Sequence, residues 1–365
     1  KGIGSPAIVN EKLTWMESKL SNVGLDLGLF NEQVVFTADL YRRDRTGLLA
    51  YRNVTLPNTF GGSFPQENLN SDRIEGLDLS LTHQKNVNKD FSYFISGNFN
   101  YNRQQNLYVE QGAANSSWEK YRGQQSNRNT GIIWTYNVIG QFQNEEEILN
   151  APIYQGNRGN EWVLPGDWIY EDLNKDGVID GNDIKPMFFG QHVPLVNFGL
   201  TLAANFKGFD INMLFQGSAL FSKRYTHAYA TMFWQYANLP AYFYDRWHRE
   251  DPYNPESNWI PGEWPAMRET QYGDGARLYE ESNAWRKDAS YLRFKNLEVG
   301  YNVNEKIMRK IGVEGLRIYL NMNNLYTWTD KYLKYFDPEV TTGSRDTGWI
   351  YPISRTTSLG FNLMF

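Results

Sequence analysis

The feature that most constrains this chain is an alternation with a period of two residues, which recurs from one end to the other. In PLVNFGLTLAANF (Pro194–Phe206), Val196, Phe198, Leu200, Leu202, Ala204 and Phe206 share one face, and Asn197, Gly199, Thr201, Ala203 and Asn205 the other. Successive side chains of a strand point to opposite faces, so such a run is a strand with one apolar side and one small or polar side. The pattern also sets Phe91, Tyr93, Ile95, Phe99 and Tyr101 against Ser92, Ser96, Asn98, Asn100 and Asn102. It sets Leu316, Ile318, Leu320 and Met322 against Arg317, Tyr319, Asn321 and Asn323. Nine strands are expected, near 18–29, 34–44, 72–84, 91–103, 193–206, 208–221, 291–303, 316–326 and 354–365. In the seventh, Leu292 and Phe294 are out of phase with Leu297, Val299 and Tyr301, which a β-bulge would correct.

The connections alternate in length. Residues 31–33, 85–90, 207–208 and 304–315 make short turns, whereas 45–71, 104–192, 222–290 and 327–353 are long. Short turns at one end and long loops at the other mark an outer-membrane barrel, where a soluble sandwich mixes its connections. The expected fold class is therefore all-β, an antiparallel transmembrane β-barrel with long extracellular loops. Composition agrees, with 16% aromatic and 21% charged residues. No apolar run approaches the ~18 residues of a membrane helix, as expected where only alternate residues face lipid. There is no cysteine for a disulfide or thiolate metal site, and a net charge of −5 without a basic stripe argues against nucleic acid.

The run GIIWTYNVIGQF (Gly131–Phe142) also looks like a strand. Crossing the membrane there would put residues 144–192 on the short-turn side, so it is assigned to an external sheet or lid within the 104–192 loop, followed by helix-prone NEEEIL. The last strand of a bacterial barrel runs into the periplasm. The C-terminus is then expected in the periplasm, and the chain begins in an extracellular loop. Nine strands do not close an even-numbered barrel, and lipid leaves no open edge unsatisfied. Further strands must come from a segment or chain outside this sequence.

The residues that carry the pattern resemble the SusC/RagA family of TonB-dependent outer-membrane transporters of Bacteroidota. The resemblance lies in LTWMESKLSNVGLDLGLFNEQVVFTADLYRR, NSDRIEGLDLSL, YEDLNKDGVIDGNDI, PLVNFGLTLAANFKGFDINMLFQG, ASYLRFKNLEVGYNV, LRIYLNMNNLYTWTDKYLKYFDPEV and YPISRTTSLGFNLMF, in that order, from about Leu13 to Phe365. It implies the C-terminal part of a 22-stranded barrel with a plugged lumen, thirteen strands lying upstream. It also implies a SusD-like lipoprotein lid at the extracellular mouth, docking on the 104–192 and 222–290 loops. Import of oligosaccharide or peptide would be driven through TonB by a plug that this chain lacks. The other readings are a surface-binding or adhesion barrel without transport, and a secreted glycan hydrolase, against which the lipid-facing alternation argues.

Four motifs stand inside this frame. DLNKDGVIDGND fits the EF-hand calcium template, with Asp172, Asn174 and Asp176 at positions 1, 3 and 5 and Gly177 at 6. The Val178 carbonyl falls at 7, Asp180 at 9 and Asp183, in place of the usual Glu, at 12. A calcium ion there would staple a long loop; the alternative is a metal-free Asn/Asp/Gly turn. The aromatic stretch 231–265 offers Trp234, Tyr236, Trp247, Trp259 and Trp264 for contact with the lid or the cargo, or for internal packing. Asp245, Glu250, Asp251, Glu256 and Glu263 surround those aromatics, but hydrolysis needs two carboxylates at a fixed separation, and solvated loop charges are the reading preferred. No nucleophile elbow, phosphate loop or zinc spacing occurs, and the chain is expected not to be an enzyme. Finally, Phe365 with Phe361 and Leu363 resembles the terminal signal read by the barrel assembly machinery, on a strand that would also face lipid. Residues added after Phe365 are expected to impair assembly.

Overall fold

The alternation is realised as nine long strands, hydrogen-bonded antiparallel in chain order: β1 (Glu17–Leu29), β2 (Val34–Tyr51), β3 (Gln66–Asn86), β4 (Phe91–Tyr108), β5 (Val196–Phe206), β6 (Phe209–Ala219), β7 (Tyr291–Asn302), β8 (Gly315–Thr329) and β9 (Thr356–Met364). The computed structural model describes residues 8–53, 64–190, 193–225, 230, 238–268, 277–335, 337–339 and 353–365. Among these, β1 and β9 are the edges of the sheet.

The short turns have the chemistry they need. Lys207 and Gly208 both have positive φ, 48° and 88°, the geometry of a type I′ hairpin whose twist matches that of its strands. Between β3 and β4, the Asn88 side chain accepts from the amides of Asp90 (2.9 Å) and Phe91 (2.8 Å). The expected bulge in β7 is present. Leu214 and Phe215 pair with Asn296 and Phe294, so Lys295 is skipped and the two apolar phases of the strand fall on one face.

β2, β3 and β4 run to 18, 21 and 18 residues, against 11 in β5, so the expected loop 45–71 shrinks to 52–65. The reason is chemical. Beyond Leu40 and Leu77 the apolar face gives way to Arg42, Asp44, Arg73 and Glu75, while the ladder of paired residues continues. Hydrophobic alternation fades there, but pairing does not.

Cross-strand partners share a face. One face carries rows such as Ala38–Leu79–Phe99–Phe198 and ends, beside the short turns, in a row of Phe91, Phe206, Phe209, Tyr301, Ile318 and Phe361. The other face carries Asp78–Asn100–Asn197–Ser218 and Ser80–Asn98–Gly199–Gln216–Arg293–Thr327. Large apolar residues of the first face, such as Leu200, Phe206, Ile318 and Phe361, are exposed.

The buried core lies in the long loops rather than on the wall. Tyr136, Trp168, Tyr170, Ile179, Tyr225, Tyr242, Phe243, Trp264, Leu278 and Trp285 form one cluster there. Short two-stranded sheets frame it: Ile133–Tyr136 with Ile184–Phe188, Val138–Gln141 with Trp168–Tyr170, Ser222–Arg224 with Arg286–Asp288, and His248–Arg249 with Trp259–Ile260. The 131–142 run thus pairs inside the loops and not with the wall. The helix after it, Glu145–Leu149, is capped by Asn144, whose side chain accepts from the Glu147 amide at 2.8 Å. Among the described residues no helix is long and apolar enough to cross a membrane, which says nothing of strands.

Candidate functional site

The polar face of the wall is laced with cross-strand ion pairs and amide bonds. Arg317 reaches Asp210 (2.5 Å) and Glu298 (2.6 Å), and Glu298 accepts from Asn321 (3.0 Å). Further along, Arg45 forks onto buried Asp72, which also accepts from Gln104 at 2.8 Å. A fork-on-carboxylate pair fixes both direction and register, which a point-charged lysine would not do.

The segment after β8 folds onto this face. Arg293, 2% exposed, holds Asp337 (2.6 Å) and Glu339, while Thr327 accepts from its Nε at 3.0 Å. Lys223 donates to the Asp337 carbonyl (3.0 Å), Lys295 lies 3.4 Å from Glu339, and Gln216 donates to the same carboxylate. Leu333, from the 3₁₀ turn Lys331–Tyr335, packs into a cluster with Phe221, Ala289 and Tyr291. The strap therefore joins β6, β7 and the loop core. Burial pushes the Lys223 amine down to about 8, against the pull of Asp337 and Glu339. Arg293, Asp337 and Glu339 were not singled out by the sequence pattern. An Arg among Asn, Gln and Thr on the polar face is the one local signal, and its partners lie 44 and 46 residues away.

Two of the sequence-predicted aromatics are buried in the loops, Trp264 within the aromatic core and Trp247 outside that cluster. Trp264 stacks on Trp285 with ring centroids 5.1 Å apart and meets Tyr225, Tyr242, Phe243 and Tyr332 edge-on or tilted. Trp247 is buried over Gly166, whose φ of +92° and lack of a Cβ make room for the indole. The Trp247 amide donates to the Trp264 carbonyl (2.8 Å), and the Trp264 amide to that of Asp245 (3.0 Å). Trp259 sits at the rim, its ring under the Arg249 guanidinium at 4.3 Å and its indole N–H aimed at Glu145 at 3.4 Å. Trp234 and Tyr236 lie outside the described residues. The carboxylates near these aromatics are used locally. Glu263 accepts from Lys331 (3.0 Å) and Tyr332, Asp251 from the Tyr253 amide (2.9 Å), and Asp245 from the Glu263 amide (3.3 Å). Below them, the buried Asp167 carboxyl is pushed up by desolvation, with Arg268 and the Leu164 amide opposing.

In the calcium-type loop, Lys175 and Gly177 have φ of 61° and 83°, and Asp172 accepts from their amides at 2.7 and 2.8 Å. Asn174 accepts from the Asp176 amide (3.0 Å) and Asp176 from the Val178 amide (2.9 Å). Asp183, fully buried, closes the loop by accepting from Leu173 (2.9 Å) and Asp180 (2.7 Å). Ile179 plugs the loop into the aromatic core and pairs with Tyr154, the Ile179 amide donating to the Tyr154 carbonyl at 2.9 Å. Asp180 turns to the Asn182 amide instead. The oxygens are thus occupied by backbone amides, and among the described residues no three carboxylates or histidines converge on a point.

No family model matches the chain. It is 28% identical over 383 residues to TonB-dependent receptor P3 of Formosa agariphila, and 25% identical over 362 residues to the TonB-dependent receptor SusC of Bacteroides thetaiotaomicron. These alignments cover 100% and 99% of the chain but 36% and 33% of the receptors, so the chain spans about a third of the curated relatives it matches. Among solved structures, the RagAB peptide importer in its open-open state superposes with a TM-score of 0.63 at 21% identity, over 98% of this chain and 36% of the other. The closed-closed state gives 0.62. By sequence and by fold, this chain is similar to TonB-dependent receptors of the SusC/RagA type over about a third of their length, as the order of its motifs predicts.

Proposed function

We propose that this chain supplies wall strands and extracellular loops to an outer-membrane nutrient importer of the SusC type. The observation that carries the reading is the two-faced wall. Its apolar face, from the Phe91 row to the Tyr101 row, spans roughly 34 Å along a strand at ~3.4 Å per residue, or about 26 Å in height for a strand tilted by ~40°, enough to cross the hydrocarbon band. Its other face is lined by amides, hydroxyls and paired charges, as a water-filled lumen requires. The edges β1 and β9 then meet further barrel strands, since lipid satisfies no backbone group. A SusD-like lid lipoprotein docks on the loop core, and TonB acts through a plug outside this sequence. The C-terminus lies in the periplasm. Cargo, oligosaccharide or peptide, binds under the lid and passes through the lumen with no covalent step; the RagAB importer, a structural relative, takes peptide.

We also assign a calcium ion to residues 172–183. The turn geometry at Lys175 and Gly177 and the anchoring of Ile179 support it. The ion would be held by Asp172, Asn174, Asp176, Asp180 and Asp183 with the Val178 carbonyl, side chains that here accept from backbone amides of the same loop. Calcium supplies charge that lets these oxygens approach one another, and its role is to stiffen the loop.

Uptake tests the reading. Cells carrying the intact receptor and its lid partner are expected to accumulate labelled oligosaccharides or peptides above the level of a deletion strain, and to lose that uptake without TonB. Surface retention without accumulation would overturn import and leave a binding barrel.

A further inference from the structure

We propose that Arg42, Arg73 and Arg103 form a collar on the outside of the wall that binds phosphate groups of outer-leaflet lipids. The inference rests on the reading of the wall as spanning the outer membrane with its long loops outside. The strand register places these residues. The apolar row Leu40–Leu77–Tyr101 is followed, toward the long loops, by Ser21–Arg42–Glu75–Arg103 and then Lys19–Asp44–Arg73–Gln105. Arg42 stands two residues from Leu40 on one strand and so points to the lipid side, not the lumen. The collar thus begins where hydrocarbon ends and headgroups start.

Its charge has the opposite sign to that of the whole chain. The two rows hold Lys19, Arg42, Arg73 and Arg103 against Asp44 and Glu75, in a protein of net charge −5. Four cations against two acids leave the rows a net charge of +2, even with Asp44 paired to both Arg42 and Arg73. Asp44 takes the Nε edges of Arg42 (3.0 Å) and Arg73 (2.7 Å), and Glu75 stands farther off at 4.0 and 3.7 Å. Among the described residues, neither terminal nitrogen of Arg73 makes a hydrogen bond, and Arg103 has no acidic partner. The Arg42 and Arg73 forks, held at one edge by Asp44 and open at the other, are preorganised for phosphate oxygens, and Arg103 adds a third guanidinium beside them.

The test uses the intact receptor, purified from outer membranes in detergent, and native mass spectrometry with two probes, monophosphorylated lipid A and the same lipid with its phosphate removed. The phosphorylated lipid is expected to bind, and the variant Arg42→Gln/Arg73→Gln/Arg103→Gln to bind it at least about tenfold more weakly, as loss of charge-assisted hydrogen bonds implies. Arg103→Gln alone disturbs no ion pair among the described residues and is expected to weaken binding severalfold, which keeps the test informative should the triple variant misfold. Arg43→Gln, on the lumen face, is expected to change nothing. Equal binding of both lipids, or undiminished binding by the Arg103→Gln and triple variants, would overturn the collar. A Tyr253→Cys variant, at a residue 94% exposed in the loops, separates the two readings through whole-cell thiol labelling. Labelling with a failed lipid arm removes the collar alone, whereas absence of labelling removes the outward orientation on which the collar depends.

Discussion

Replacing Arg293 by Met should release the strap that follows β8. Its guanidinium is 2% exposed and is the shared partner of Asp337 and Glu339, whose side chains are 7% and 22% exposed. Removing one partner of a buried ion pair costs about 3–5 kcal/mol, mainly because the remaining charge is left uncompensated. Lys295 stays 3.4 Å from Glu339 and Lys223 stays on the Asp337 carbonyl, so the lower end, about 3 kcal/mol, is expected. At ~1.4 kcal/mol per tenfold, the open strap should become roughly a hundredfold more populated. Hydrogen exchange reads this directly. Protection of the Leu333 amide, bonded to the Asp330 carbonyl at 3.0 Å, should fall by that factor while the amides of β5 and β6 keep theirs. A combined Arg293→Met/Asp337→Leu/Glu339→Leu variant should recover most of the protection, because replacing all the charges together leaves none of them stranded. Unchanged exchange in Arg293→Met would refute the latch. Failure of the combined variant to recover would show that shape, rather than charge, holds the strap.

The Lys223 amine, lowered to about 8 from 10.5, makes the folded state bind fewer protons than the unfolded state between those values. Stability of the Ser222–Arg224 strand should therefore rise with pH across that window, with the burial penalty fully felt below about 8; exchange corrected for intrinsic rate would show a flat profile if the amine were not desolvated. Stripping calcium should expose the 172–183 loop to protease without altering β content. With free calcium about tenfold above Kd the difference is roughly 1.4 kcal/mol, or about tenfold in cleavage rate, and equal cleavage in chelator would remove the metal assignment. Gly217→Ala, normally mild in a strand, should cost about 1–3 kcal/mol here, since the added carbon would lie 2.6 Å from the Tyr291 carbonyl oxygen and overlap the Phe198 ring. A melt or heat-modifiability shift no larger than that of Gly123→Ala, where the space is open, would count against it.

The sequence by itself determined the wall. Period-two alternation fixes which residues share a face, and the Lys207-Gly208 turn fixes the register of the strands it joins. Even the β7 bulge was legible, because a one-residue slip of phase between Phe294 and Leu297 has a single local remedy. The calcium-type turn was legible for the same reason, since its hydrogen bonds join residues two to ten positions apart. What alternation could not reach is the charged ribbon of Arg42, Asp44, Arg73 and Glu75, where strand pairing outlasts the hydrophobic signal that announces it.

The tertiary structure alone decided what the loops do. Of the aromatics in the 231–265 stretch, Trp247 and Trp264 are interior, and Trp259 is at the rim. Nothing in the local sequence separates them, because Tyr242 and Phe243 of the same stretch pack on only part of Trp264, and its other partners, Tyr225, Trp285 and Tyr332, come from three other segments. The Arg293 latch is of the same kind. An irregular segment has no period, so its contacts follow from the whole fold, and its charges find partners that only folding brings within reach.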